Sequence, residues 1–114
     1  MFTLEQQVSG GVCRIAIAGE ITIYSAVELK SKLLEAVGGS EVVECDLTDI
    51  SDFDSAGVQL LEVLRRQVGT AGSMRVTGAS EPVRELLDLY RLTDQLMAAE
   101  SAPQLQRSDS GEAS

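Results

Sequence analysis

The stretch Asp46-Leu-Thr-Asp-Ile-Ser-Asp-Phe-Asp-Ser-Ala-Gly57 gathers four carboxylates and three hydroxyls within twelve residues. Oxygen atoms at that density suggest three kinds of chemistry: paired carboxylates for acid–base work, an oxygen cage for a hard cation, or a serine that accepts a covalent group. Composition removes most versions of the first two. The chain has no histidine, which excludes a Ser-His-Asp triad, a Cys-His nucleophile pair and the commonest zinc ligand. Asp46, Asp49, Asp52 and Asp54 lack the alternate spacing, central glycine and closing glutamate of a calcium loop. A phosphoacceptor aspartate site needs a lysine late in the chain, and the only lysines are Lys30 and Lys32. Gly10-Gly11 lacks the spacing and following helix of a phosphate-cradling loop. What remains is Ser55, a serine flanked by carboxylates that by its spacing also reads as an ordinary helix cap, with no catalytic residue, metal or cofactor expected.

The elements around Ser55 can be read from periodicity. Val42 and Val43 to Leu47 form an apolar run that predicts a buried strand, taken over Glu41–Leu47. Val58 to Val68 has helical spacing, with Gly57, Leu60, Leu61, Leu64 and Val68 on one face. Ser55 therefore falls where a strand hands over to a helix, after an acidic loop, Asp46–Asp54. Upstream, Phe2, Leu4, Gln6 and Val8 alternate with polar neighbours, and Val12–Ala18 is rich in β-branched residues. Ser9-Gly10-Gly11 joins them as a hairpin turn. A loop from Glu20 to Tyr24 leads to Ser25, which with Glu28 spells a capping box for a helix carrying Ala26, Leu29, Leu33 and Val37 on one face. Met74–Gly78 reads as a fourth strand. A third helix starts at Ser80 or Glu81, with Pro82 in its first turn and Val83, Leu86, Leu87 and Tyr90 on its apolar face. Leu92–Ala99 fits either an edge strand or a last helical turn. The polar remainder, residues 100–114, predicts a disordered tail.

The expected architecture is a single α/β domain over residues 1–99. It has a small mixed sheet of four to five strands, with three or more helices packed mainly on one side. Cys13 and Cys45 sit in apolar runs and read as small buried hydrophobes rather than a disulfide. No apolar run spans a bilayer and the N-terminus lacks a signal-peptide pattern, so a cytoplasmic location is expected. Nine Lys+Arg against 18 Asp+Glu give a net charge of −9. That balance argues against nucleic acid and anionic membranes and favours a protein partner.

Gly19-Glu20-Ile21-Thr22, Ser25-Ala26, Asp46-Leu47, Ile50, Asp54-Ser55-Ala56-Gly57-Val58, Gly72 and Ser80-Glu81-Pro82-Val83 together resemble STAS domains, the group that includes bacterial anti-sigma-factor antagonists. The resemblance runs from Phe2 to about Met97. It implies a non-enzymatic switch in a partner-switching pathway that controls transcription. Unphosphorylated, such a protein binds a serine/threonine kinase of the anti-sigma type. Phosphorylated on the serine matching Ser55, it releases that kinase, and a phosphatase resets it. Thr22 stands where many of these antagonists carry Asp, and Asp52 where the family often has an apolar residue. An alternative within the same family is a structural or scaffold subunit of a chemotaxis, stress-signalling or lipid-transport assembly, without a phosphate cycle.

The surface expected to meet the partner comprises Glu20, Thr22, Tyr24, Ser25, Asp52, Phe53, Asp54, Ala56 and Gly57, clustered at one end of the sheet. Tyr24 and Phe53 are two of only four aromatics, two Phe and two Tyr. Exposed, they would suit an interface. Turned inward, they would plug the end of the core.

Overall fold

The computed structural model describes residues 1–69 and 72–97, so the tail expected over 100–114 lies outside the described residues. In order, the elements are β1 (Phe2–Ser9), β2 (Val12–Ile21), α1 (Ala26–Val37), β3 (Val42–Phe53), α2 (Ser55–Val68), β4 (Ser73–Ala79), α3 (Glu81–Leu89) and α4 (Thr93–Leu96). The strands lie in sequence order, β1-β2-β3-β4. β1 and β2 form an antiparallel hairpin from Phe2↔Gly19 to Ser9↔Val12. Gly10 and Gly11 have φ of 58° and 81°, the left-handed pair that a tight hairpin turn requires. β2 with β3 and β3 with β4 are parallel. Right-handed crossovers in a sheet that grows in one direction place every connecting helix on the same face.

That layering fixes the core. Cys13, Ile15 and Ile17 of β2, Val43, Cys45 and Leu47 of β3, and Met74 and Val76 of β4 all face the helices and are buried. Leu29, Leu33 and Val37 of α1 pack onto them, with Leu60, Leu61 and Leu64 of α2 and Val83 and Leu87 of α3. Tyr90, expected on the apolar face of α3, instead follows the helix and is about half exposed. Both expectations for the last stretch hold in part: α4 is a single turn burying Leu96, and Met97 then bridges Val76 of β4 in parallel.

β3 departs from the sequence reading. It does not give way to a loop after Leu47 but continues to Phe53, pairing with β2 as far as Ile21↔Phe53. Leu47, Ile50 and Phe53 are buried while Thr48, Asp49, Ser51 and Asp52 between them are exposed. A spacing of three does not fit an ideal pleat. Register shifts between Ala16 and Ala18 and between Gly19 and Glu20 insert the extra residues needed to turn the apolar side chains inward. For the same reason Glu20 and Ile21 belong to β2, and the connection to α1 shrinks to Thr22–Ser25.

The opposite face of the sheet is polar. Arg14, Glu44 and Arg75 lie in register across three strands. Arg14 Nε donates to Glu44 Oε1 at 3.1 Å, and Arg75 donates to Glu44 Oε2 at 2.8 Å. The Arg75 hydrogen bond holds the Glu44 carboxyl below the usual carboxylate range; partial burial opposes this, and the charge of both arginines reinforces it. A carboxyl depressed in the folded state stabilises above its unfolded pKa and loses that contribution as pH falls through the folded value. Glu44→Gln should therefore lower stability at pH 7 by under about 1 kcal/mol, because the arginines are largely solvated. The gap to wild type should close as pH drops below about 4, which urea titrations at pH 7 and pH 3 would show. An unchanged gap would mean that the ion pairs contribute nothing.

Both cysteines are buried and free. Desolvation pushes the Cys45 thiol up to about 12, with the nearby Cys13 adding to it. Cys13 is also raised by burial, partly countered by a hydrogen bond with Ser40.

Candidate functional site

Because Ile21 pairs with Phe53, the ends of β2 and β3 meet, and the residues that follow them are neighbours. Asp54 N–H donates to Ile21 O at 3.3 Å. The chain then turns into α2. Asp54 is the residue that caps this helix: its backbone is extended, and its Oδ1 accepts the Ala56 N–H at 2.9 Å. Either Asp54 or Ser55 has the chemistry of an N-cap. The phase of the helix decides between them, since capping at Asp54 turns Gly57, Val58, Leu60, Leu61 and Leu64 into the core. Ser55 is thus the first helical residue and is exposed. Its hydroxyl makes no hydrogen bond among the described residues.

The neighbouring turn is built from the inside. Ser25 is only 8% exposed. Its hydroxyl donates to Glu20 O at 3.0 Å and accepts the Thr22 N–H at 3.0 Å. Thr22, equally buried, accepts the Tyr24 N–H on its side-chain oxygen at 3.3 Å. The expected capping box is therefore corrected: Ser25 makes no side-chain cap bond to α1. The backbone explains why. Ser25 and Ala26 both donate to Thr22 O, at 3.0 and 2.9 Å, so the turn already runs into the helix and the hydroxyl is directed back beneath it. Ser25→Ala would strand the Thr22 N–H and the Glu20 carbonyl in a closed setting, and should cost about 1–2 kcal/mol by chemical denaturation. A loss no larger than that of an exposed serine such as Ser31 would show that the pair is not structural.

The nine residues expected at the partner surface divide accordingly. Glu20, Tyr24 and Asp52 are exposed, Tyr24 at 93%. Asp54 and Ala56 are partly buried. Thr22, Ser25 and Gly57 are buried and support the surface from below. Phe53 is buried at 5% exposure, so it plugs the end of the core, and its reading as an exposed aromatic is corrected. An ideal Cβ on Gly57 would lie 2.7 Å from Phe53 Cδ1 and 2.8 Å from Cζ, so the ring is seated on the glycine. Ile23, 60% exposed, lies within the Glu20–Tyr24 loop expected at this end of the sheet but was not singled out, and Val27, 80% exposed, escaped the sequence reading. Val27 carries a usable signal: it falls off the Ala26, Leu29, Leu33, Val37 stripe. With Tyr24 they put three exposed apolar side chains on the turn and first helical residues, a segment that meets Asp54 through the Ile23 N–H.

Among the described residues, neither Asp52 nor Asp54 is paired with a lysine or arginine, and no three His, Cys, Asp or Glu side chains are grouped to hold a metal. The open sheet face bears a hollow of about 510 Å³ lined by residues including Arg14, Glu44, Asp46 and Thr77, and Ser55 is not part of it. Ser55 thus presents an exposed, unbonded hydroxyl at the start of α2, next to a carboxylate already engaged in capping that helix.

A family model described as "Mlab, STAS domain" matches residues 4–99. The chain belongs to the STAS domain family. The "Anti-sigma-B factor antagonist" of Bacillus subtilis (strain 168) is 35% identical to this STAS domain over 86 residues, 71% of this chain and 75% of that protein. An anti-sigma factor antagonist from Mycobacterium paratuberculosis has a similar crystal structure, with a TM-score of 0.77 at 20% identity over 84% of this chain and 83% of that one. The anti-sigma factor antagonist SpoIIAA in its unphosphorylated form gives a TM-score of 0.71 at 23% identity, covering 98% and 90%. At these identities the two structures establish the STAS fold, a four-stranded mixed sheet with helices on one side. Among the described residues, no helix of this STAS domain is long and apolar enough to cross a membrane.

Proposed function

We propose that this STAS domain is a cytoplasmic anti-sigma-factor antagonist, a binding module controlled by phosphorylation of Ser55. The observation that carries the reading is the division of labour at the start of α2. Asp54 supplies the cap, so Ser55 is left exposed and unbonded. The hydroxyl can therefore take a modification without giving up a hydrogen bond of its own. The curated relative named as an anti-sigma-B factor antagonist points to the same role. The partner is then a serine/threonine kinase of the anti-sigma type, docking over Ser55 and the exposed Ile23, Tyr24 and Val27. The kinase transfers the γ-phosphoryl group of ATP to Ser55 Oγ; the hydroxyl proton passes to a base of the kinase and ADP leaves. A phosphatase hydrolyses the ester to restore the binding form. The domain carries out no chemistry of its own.

The test is to capture the kinase with the unmodified domain, add ATP and map the phosphate by mass spectrometry. Modification of Ser55 with release of the complex is expected. Absence of phosphate on Ser55 would sink the switch. The second reading, a permanent structural subunit, draws on the same exposed apolar side chains, which would serve a lasting interface as well. It would be favoured if Ser55→Ala and Ser55→Asp both left the captured complex unchanged.

A further inference from the structure

Asp54 has two carboxylate oxygens, and each is committed to a different element. Oδ1 accepts the Ala56 N–H of α2 at 2.9 Å, and Oδ2 accepts the Ile23 N–H of the β2–α1 turn at 3.2 Å. Among the described residues, this is the only side-chain hydrogen bond that ties the turn to α2. The other side-chain bonds of the turn, through Ser25 and Thr22, close on Glu20–Ser25 itself. One residue thus links the helix start bearing Ser55 to the turn that presents Ile23 and Tyr24.

We infer that Asp54 is a positioning residue that transmits the state of Ser55 to the Ile23–Tyr24 turn. The inference rests on the proposed role of Ser55. The coupling is electrostatic and competitive. The N–H groups of Ser55 and Ala56 belong to the first turn of α2, where helical backbone donors have no intrahelical partner. A phosphate on Ser55 brings about −1.5 to −2 charges and three acceptor oxygens to those donors. It competes with Asp54 Oδ1 for the Ala56 N–H and repels the adjacent carboxylate. A carboxylate displaced from Ala56 no longer holds its second oxygen toward Ile23. The modification then acts twice: it places charge at the centre of the surface, and it loosens the apolar turn beside that centre. The first effect needs no movement of the protein, whereas the second changes the shape offered to a partner.

Amide hydrogen exchange of the full chain, read residue by residue by NMR, tests the coupling without any kinase, because phosphoserine can be encoded genetically at position 55. Asp54→Asn keeps a capping oxygen but sets an NH₂ where one acceptor stood. Asp54→Ser also caps α2, but its single short oxygen cannot span to Ile23. Exchange at the Ile23 amide should rise roughly three- to tenfold in both variants and in the phosphoserine protein, as expected for loss of one net hydrogen bond. The amides of Leu60 to Leu64 should keep their wild-type rates, which separates release of the turn from general destabilisation. An unchanged Ile23 rate in the two variants would overturn the positioning role. A change in the variants but not with phosphoserine would overturn the coupling to Ser55. A kinase that fails to modify Ser55 would remove the switch itself, yet leave these exchange results standing.

Discussion

Ser55→Asp should weaken capture of the partner by at least about a hundredfold while the thermal midpoint stays within a few degrees of wild type. The two effects differ because the added charge meets different surroundings in the free and bound states. In the free domain the new carboxylate is solvated and lies at the positive end of α2, where a negative charge is stabilised by roughly 0.3–1 kcal/mol. In the complex it would be buried next to Asp52 and Asp54, which have no cationic partner among the described residues. Covering an unpaired charge costs about 3 kcal/mol or more, and each 1.4 kcal/mol corresponds to about tenfold in affinity. Ser55→Ala should bind as wild type does and no longer be released when ATP is added. Calorimetric titration with the captured partner would measure both. Equal affinities for the Asp and Ala variants would show that charge at position 55 is not what governs docking.

Gly57→Val should destabilise the fold by about 3 kcal/mol, with Gly57→Ala a milder form of the same defect, at roughly 1 kcal/mol or more. Propensity alone predicts the opposite sign for alanine, since glycine inside a helix is less favourable by about 0.8–1 kcal/mol. Packing wins here because the first carbon of any side chain would enter the ring of Phe53, 2.7 Å from Cδ1. The ring has nowhere to go, being closed in at the end of the core with 5% exposure. Either Phe53 leaves its rotamer or the first turn of α2 lifts away. The midpoint of Gly57→Val should therefore fall by more than about 10 °C. A second substitution, Phe53→Leu, should return part of the loss by vacating that volume. If Gly57→Ala were more stable than wild type, helix propensity would outweigh packing and the seat of Phe53 on Gly57 would not be tight. Because Gly57 lies two residues from Ser55, the same substitution should also weaken partner binding, through displacement of the helix start.

How far these features could be read from the chain depended on whether one periodicity governed each segment. The stripes of α1 and α2 repeat at helical spacing, and Gly10-Gly11 lies between two strand patterns, so those elements and the handover at Ser55 were legible. Leu47, Ile50 and Phe53 repeat every three residues among acidic neighbours, a pattern that belongs to neither ideal strand nor helix. Only pairing with β2, with its register shifts, makes it a strand. Ser25 and Glu28 matched a capping motif locally. The tight turn from Glu20 to Ser25, set where β2 ends, drew the hydroxyl elsewhere. The double role of Asp54 was also out of reach, because Ile23 becomes its neighbour only once β2 and β3 end side by side.

The cysteines carry a consequence of a different kind. Oxidants and electrophiles attack the thiolate form, and a group pushed up to about 12 supplies almost none at neutral pH. Cys13 is held in the same direction and is equally closed to solvent. Under oxidative stress the folded domain therefore has no thiol through which peroxide or disulfide exchange could write a second message. The proposed readout at Ser55 therefore shares its surface with no reactive thiol, because both cysteines lie closed within the core.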